Sequence, residues 1–190
     1  MGKSVPDIKN RLIFAALVEL QEHGISDFSI RRVAADCGVS CAAPYKYFDG
    51  KNALIDAVID FVSDEWKKTV CALLDGHTGT TREKLLDISI AYIRFLYENP
   101  GYYTVVIMNE KFLSRDRMRN KSLISPETGQ VIREYCESVG MDKETEKRKT
   151  FIVRALIIGA AEMMTADSLH YTDENLNMVR SCINREFDIV

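Results

Sequence analysis

Ser29-Ile30-Arg31-Arg32-Val33-Ala34-Ala35-Asp36-Cys37-Gly38-Val39-Ser40 is the stretch whose reading decides the fold. Ser29 is a good N-cap, and the residues after it suit a short helix. Gly38 tolerates a positive φ, which lets the chain reverse within three or four residues. Val39 is apolar and is expected to tuck between the helix before it and the helix after it. Ser40 offers a hydroxyl to the free N–H groups that open the next helix, which Asp49-Gly50 then breaks. Two short helices joined this way make a helix-turn-helix, whose second helix is shaped for the major groove of DNA.

The flanking sequence is helical in pattern, and period-2 alternation is absent over any useful length. Ile8, Leu12, Ile13, Ala16, Leu17 and Leu20 form one face of a first helix, closed at Gly24. A long helix is expected over 51–74, followed by a loop over 75–79. Thr80 and Glu83 form a capping-box pattern for a helix carrying Leu85, Ile88, Tyr92, Phe95 and Leu96, which Asn99-Pro100 ends. A short helix follows over about 101–109, then a polar, basic connection over 114–125. Ser125-Pro126 opens a helix that closes at Gly140. The last two helices carry Phe151, Ile152, Ala155, Leu156, Gly159 and Met163, then Leu176, Val179, Ile183 and Phe187, the second capped by Thr172 or Asp173. The fold class is therefore all-α. A three-helix, helix-turn-helix DNA-binding domain is expected in residues 1–50 and a larger helical bundle in residues 51–190, about nine helices in all.

A chain of 190 residues is long enough to bury a core without metal or disulfides. Its 46% hydrophobic and 28% charged residues exclude disordered and fibrous classes. The net charge of -3 rules out a chain basic throughout but not a local basic face. Arg31, Arg32, Lys46 and Lys51 supply one, opposed there by Asp36 and Asp49. Cys37, Cys41, Cys71, Cys136 and Cys182 are odd in number and widely spaced, and no CxxC occurs, so reduced thiols are expected and no metal site. Lys9, Asn10 and Arg11 interrupt any signal-like apolar run, and the apolar stretch 155–161 stops at Glu162. The expected location is cytoplasmic, with no membrane association.

The segment from Ser29 to Ser40, with Tyr45, Phe48, Lys51 and Leu54 after it, resembles the tetracycline-repressor (TetR) family of transcriptional regulators. The likeness is dense over the first third of the chain and purely architectural beyond it. Ala42 stands where glycine is frequent, Pro44 where leucine is usual and Tyr47 where histidine is frequent. Pro44 removes the first intrahelical hydrogen bond of a helix capped by Ser40, so the start of that helix is expected to shift or tighten.

Candidate DNA-binding residues follow from position. Ser29, Ile30 and Arg31 open the second helix, where free N–H groups favour phosphate. Ser40 caps the next; Cys41, Ala42 and Ala43 are small enough for close approach to DNA; Tyr45 and Lys46 have the reach for base edges or phosphates. Tyr47 resembles the family's backbone-contacting position and Lys51 its phosphate-contacting lysine. Phe48 reads as core, and Arg32 as either a contact or a solvated charge. The resemblance further implies a homodimer that binds a palindromic operator on double-stranded DNA and is released or altered by a small-molecule effector. Candidate effector contacts are Trp66, Tyr92, Phe95, Tyr102, Tyr103, Met108, Phe112 and Glu162. Glu162 is alternatively an ion-pair partner for an arginine across the dimer, or simply solvated. Candidate dimer contacts are Leu156, Gly159, Met163, Leu176, Val179 and Ile183.

No HExxH, GxSxG or Gly-rich phosphate loop occurs, so no catalytic residues and no cofactor are expected. Two other readings remain open from sequence: a redox-responsive DNA-binding regulator using Cys41 at a helix N-terminus, and a helical interaction protein that does not bind DNA.

Overall fold

The structure, a computed structural model, describes residues 7–107 and 125–188. Among these residues eight α-helices and one 3-10 turn occur, and no strand. They are α1 (Ile8–His23), α2 (Ile30–Asp36), the 3-10 turn Pro44–Lys46, α3 (Gly50–Leu74), α4 (Thr81–Glu98), α5 (Pro100–Ile107), α6 (Pro126–Ser138), α7 (Lys143–Thr165) and α8 (Asp173–Asp188).

The chain forms two compact units, divided within α3 between Glu65 and Trp66. The first takes residues up to 65 and reclaims the chain from 100; the second takes 66–99 and the chain from 125 onward. In the first unit α1 packs on α2 and on α5. Its core holds Leu12, Ala16 and Leu20 from α1, Val33 and Ala34 from α2, and Leu54, Val58 and Val62 from α3, all fully buried. Gly101 sits against Leu17, where a Cβ would meet the leucine side chain at 3.2 Å. That small residue lets α5 approach α1.

In the second unit α4 is the central helix, packed on α6, α7 and α8. Its N-terminus is built as the sequence implies. The Thr80 hydroxyl accepts the Glu83 N–H at 3.2 Å, and the Glu83 carboxylate accepts the Thr80 N–H at 2.7 Å. Ser125 caps α6 through the Thr128 N–H, and Thr172 caps α8 through the Asn175 N–H. Asp87 on α4 accepts from Arg180 on α8 at 2.5 Å and pairs with His77 at 2.8 Å, which ties the loop before α4 to that face. Arg82 donates to the Asn184 side chain and carbonyl, both at 2.8 Å. Ile93, Leu96, Ala161 and Ile183 are fully buried between these helices.

The piece after Ser40 departs from expectation. A helix over 41–48 does not form; the chain makes a turn at Cys41-Ala42 and then a single 3-10 turn. The cause is Pro44. A helix capped at Ser40 needs the residue-44 N–H on the Ser40 carbonyl, and proline has none. The Ala43 N–H takes that carbonyl at 2.9 Å instead, and Pro44 becomes the first residue of the tighter helix, with no side-chain cap. Ser40 is therefore not the cap that the sequence suggests.

Candidate nucleic-acid interface

The turn between α2 and the exposed segment is fixed by backbone chemistry. Gly38 has φ +65, in the left-handed region. The Val39 N–H donates to the Ala34 carbonyl at 3.0 Å and the Gly38 N–H to the Ala35 carbonyl at 2.8 Å. This pairing is a Schellman motif, and it satisfies the last carbonyls of α2 while reversing the chain. Val39 is half-buried. Pro44 and Phe48 are buried and anchor the turn, while Ser40, Cys41, Ala42, Tyr45, Lys46 and Tyr47 are exposed and Ala43 half-exposed. Exposure of 60% at Tyr45 and 41% at Tyr47 leaves both phenols free to meet a partner.

α2 is clamped to α1 at both ends. At its start, Glu19 on α1 is 2% exposed and accepts three groups: the Ser29 N–H at 2.9 Å, Arg32 Nε at 2.9 Å and Arg32 Nη2 at 2.5 Å. Arg32 also donates to the Asp27 carbonyl. Burial pushes the Glu19 carboxyl up, but the hydrogen bonds from Arg32 and Ser29 outweigh it and hold the group below its ordinary range. At the other end, Arg11 on α1 donates to the Cys37 carbonyl at 2.6 Å. Arg32 is thus a structural cation and not a solvated one. Ser29 accepts the Arg32 N–H at 3.4 Å, a long cap, and is half-buried with Ile30.

Lys51, at the start of α3, is also engaged internally. Its Nζ donates to the Ile25 carbonyl at 2.7 Å and lies 5.6 Å from the centre of the Phe28 ring. It pins the loop that delivers Ser29. Arg31 and Lys46 are the exposed cations of the motif. Cys37 is buried, and burial pushes its thiol up, away from reactivity. Cys41 is exposed but precedes only a three-residue 3-10 turn, so the helix N-terminus that would activate it is not there.

The effector candidates fall apart into groups. Trp66, Tyr92 and Phe95 come together in the second unit, with ring centres 4.7 Å apart for Trp66–Tyr92 and 5.3 Å for Trp66–Phe95. The buried Trp66 indole N–H has no hydrogen-bond partner among the described residues. Burial pushes the Tyr92 phenol well above its ordinary range, opposed in part by the charge of Arg154. Tyr102 and Tyr103 lie on α5 in the first unit, Tyr102 with its ring 6.1 Å from that of Phe61. Met108 and Phe112 lie outside the described residues. Glu162 is exposed on α7.

The dimer candidates divide by face. Leu176, Val179 and Ile183 are buried within the protomer. Leu156 and Gly159 are half-buried and Met163 is 47% exposed. The apolar groups that α7 and α8 turn outward also include Phe151, 72% exposed, and Met178, 49% exposed. The sequence missed Glu19 and Arg11 as builders of the motif. A signal for Glu19 was present: it falls on the same helical face as Leu12, Ala16 and Leu20, an unusual place for a carboxylate.

The described residues form an all-α fold with a tight glycine reversal after α2. A sequence profile described as "Bacterial regulatory proteins, tetR family" matches residues 12–58, so the N-terminal part of the chain is similar to that family. The crystal structure of a TetR family transcription regulator from Marinobacter aquaeolei VT8 superposes with a TM-score of 0.76 at 21% identity, over 94% of each chain. A TetR-family transcriptional regulator from Bordetella parapertussis 12822 gives 0.72 at 17% identity, over 94% of this chain and 95% of its own. Among curated relatives, the nucleoid occlusion factor SlmA of Vibrio campbellii is 25% identical over 157 residues, which is 79% of this chain and 78% of that protein. The SlmA of Pectobacterium carotovorum is 26% identical over 130 residues, 65% of each. In the described residues no helix is long and apolar enough to cross a membrane.

Proposed function

We propose that this protein is a homodimeric transcriptional regulator that binds a palindromic operator and is released or altered by a small molecule bound in its second unit. The observation that carries the DNA-binding reading is the exposed segment from Ser40 to Tyr47, held out by a turn that Glu19 and Arg11 clamp to α1. In this reading Ser29, Ile30 and Arg31 meet phosphate, and Cys41, Ala42 and Ala43 let the backbone approach the groove. Tyr45, Lys46 and Tyr47 supply contacts to bases and backbone. Ser40 contributes as part of the exposed turn. Lys51 acts at one remove, by fixing the loop from Gly24 to Ser29. Two such segments in a dimer must lie about 34–36 Å apart, or whole turns of DNA.

Trp66, Tyr92 and Phe95 are the effector contacts we favour, because they form one cluster that retains a buried donor unpartnered among the described residues. An effector with a hydrogen-bond acceptor beside an apolar surface suits that donor. Effector binding regulates only through differential affinity for two arrangements of the DNA-binding segments.

The test is binding to DNA from the protein's own promoter, against shuffled duplex, at two or more salt concentrations. Arg31→Ala should flatten the plot of log affinity against log salt by about 0.9, the signature of one lost phosphate. Lys51→Ala should weaken binding while keeping the slope, because its ammonium is spent on the Ile25 carbonyl. A slope that flattens with Lys51→Ala as much as with Arg31→Ala would return Lys51 to the phosphate. No preference for the promoter DNA at any salt would overturn the regulator reading in favour of a helical interaction protein.

A further inference from the structure

The exposed turn after α2 lacks the head groups that read most bases. Arginine forks onto guanine, asparagine and glutamine onto adenine, and carboxylates accept from cytosine. From Ser40 to Phe48 the chain carries none of these residue types. Lys46 is the one cation in that stretch, suited to guanine or to a phosphate. Ser40, Tyr45 and Tyr47 add single hydroxyls, which bond donors and acceptors of any base alike. What the turn presents besides these is apolar. Ala42, Cys41 and the Tyr45 ring are exposed, Tyr45 by 60%. The major-groove feature that suits an apolar group is the C5-methyl of thymine, which no other ordinary DNA base displays.

The backbone puts these groups on one side. The Ala43 N–H donates to the Ser40 carbonyl at 2.9 Å and the Lys46 N–H to the Ala43 carbonyl at 3.1 Å, so the run is made of successive tight turns. Pro44 and Phe48 are buried and take the inward side. Ala42 and Tyr45, three residues apart, share the outward side. A 3-10 turn advances about 2.0 Å per residue, so Ala43 to Lys46 cover about 6 Å. That length matches about two base-pair steps of DNA. The tip is therefore short, and its contacts fall on neighbouring base pairs of each half-site.

We propose that Ala42 and Tyr45 read the C5-methyl groups of thymines in the major groove, and that these methyls carry most of the base discrimination of the turn. This rests on the DNA-binding reading above and adds the base that is selected. Burying a methyl against the Ala42 side chain and the Tyr45 ring is favourable without any hydrogen bond, so it needs no polar head group. Lys46 and Arg31 then attract the phosphate backbone, which positions the turn but is blind to sequence.

The test uses the full chain and two synthetic forms of the promoter duplex, one natural and one with uracil in place of every thymine. Uracil pairs with adenine as thymine does and lacks only the C5-methyl. One methyl lost per half-site, two for the dimer, should weaken binding by about tenfold or more. The same exchange in a shuffled duplex sets the baseline and should change affinity by less than about twofold, because that binding is to phosphate. Ala42→Gly and Tyr45→Ala should each weaken binding to the thymine duplex and compress the thymine-to-uracil ratio to about threefold or less. The salt slope should hold in both, because neither side chain carries charge. Both residues are exposed, so circular dichroism should show unchanged helix content. A protein that prefers the promoter yet binds its thymine and uracil forms alike would overturn the thymine assignment and leave the regulator reading intact. So would an affinity that ignores uracil and rises on C5-methylation of cytosine, which would move the contact to 5-methylcytosine. A ratio that survives in both variants would take the methyl contact away from Ala42 and Tyr45. A protein that binds promoter and shuffled duplex equally would overturn the regulator reading and the thymine assignment with it.

Discussion

Trp66→Ala is expected to cost the second unit about 3–5 kcal/mol, the largest loss of any substitution considered for this chain. Trp66 is the single tryptophan, is 2% exposed and packs its ring on Tyr92 and Phe95. Truncation removes the largest of the fully buried side chains among the described residues and leaves a cavity that the packed helices close only in part. Urea denaturation followed by circular dichroism measures the loss. Trp66→Phe separates packing from polarity. It keeps an aromatic ring in the cluster and removes a buried N–H that has no partner among the described residues, so it should retain most of the stability. If the indole N–H serves an effector, Trp66→Phe should also weaken effector binding while the fold stands. A loss below about 1 kcal/mol for Trp66→Ala would show that the cluster does not anchor the unit.

The parts of the fold that were legible are those whose chemistry is local. Gly38 had to take a positive φ, and it does. Thr80 with Glu83 and Ser125 with Pro126 each declared a helix start within four residues, and each is built. Pro44 announced trouble for the helix after Ser40. Its consequence was larger than a shifted start, because losing one N–H at that position left only a three-residue turn. What escaped was long-range. Lys51 reaches the Ile25 carbonyl across 26 positions, and no spacing rule reports such a contact. Arg32 finds Glu19 across 13. The proposed dimer face shows a different limit. α7 is apolar on two sides, with Ile157, Ala160, Ala161 and Met164 inward and Phe151, Ala155, Gly159 and Met163 outward. Periodicity finds both stripes and cannot say which one the protomer keeps. α8 has its main stripe at Leu176, Val179 and Ile183, and the protomer takes it for its own core.

Glu19→Ala should do to the DNA-binding motif what Trp66→Ala does to the second unit, with a further signature in pH. The carboxylate is buried and holds the Ser29 N–H and two nitrogens of Arg32. Removing it strands the Ser29 donor and leaves space beneath α2. Arg32 is nearly half exposed and recovers water, so the expected cost is about 2 kcal/mol, not the larger penalty of an isolated buried charge. The start of α2 then loses its position on α1, and promoter binding should fall by about tenfold or more. The pH test uses the isosteric Glu19→Gln. The Glu19 carboxyl titrates lower when folded than when unfolded, so its stabilisation is complete above the ordinary carboxylate value of about 4.3. It is lost as pH falls through the lower folded value, where both states hold the proton. The melting temperatures of the natural protein and Glu19→Gln should therefore differ most at neutral pH and converge as pH falls below about 4. Curves that stay parallel from pH 7 to the acid limb would mean that the charge on Glu19 does not hold α2 in place, and the clamp would have to be assigned to shape alone.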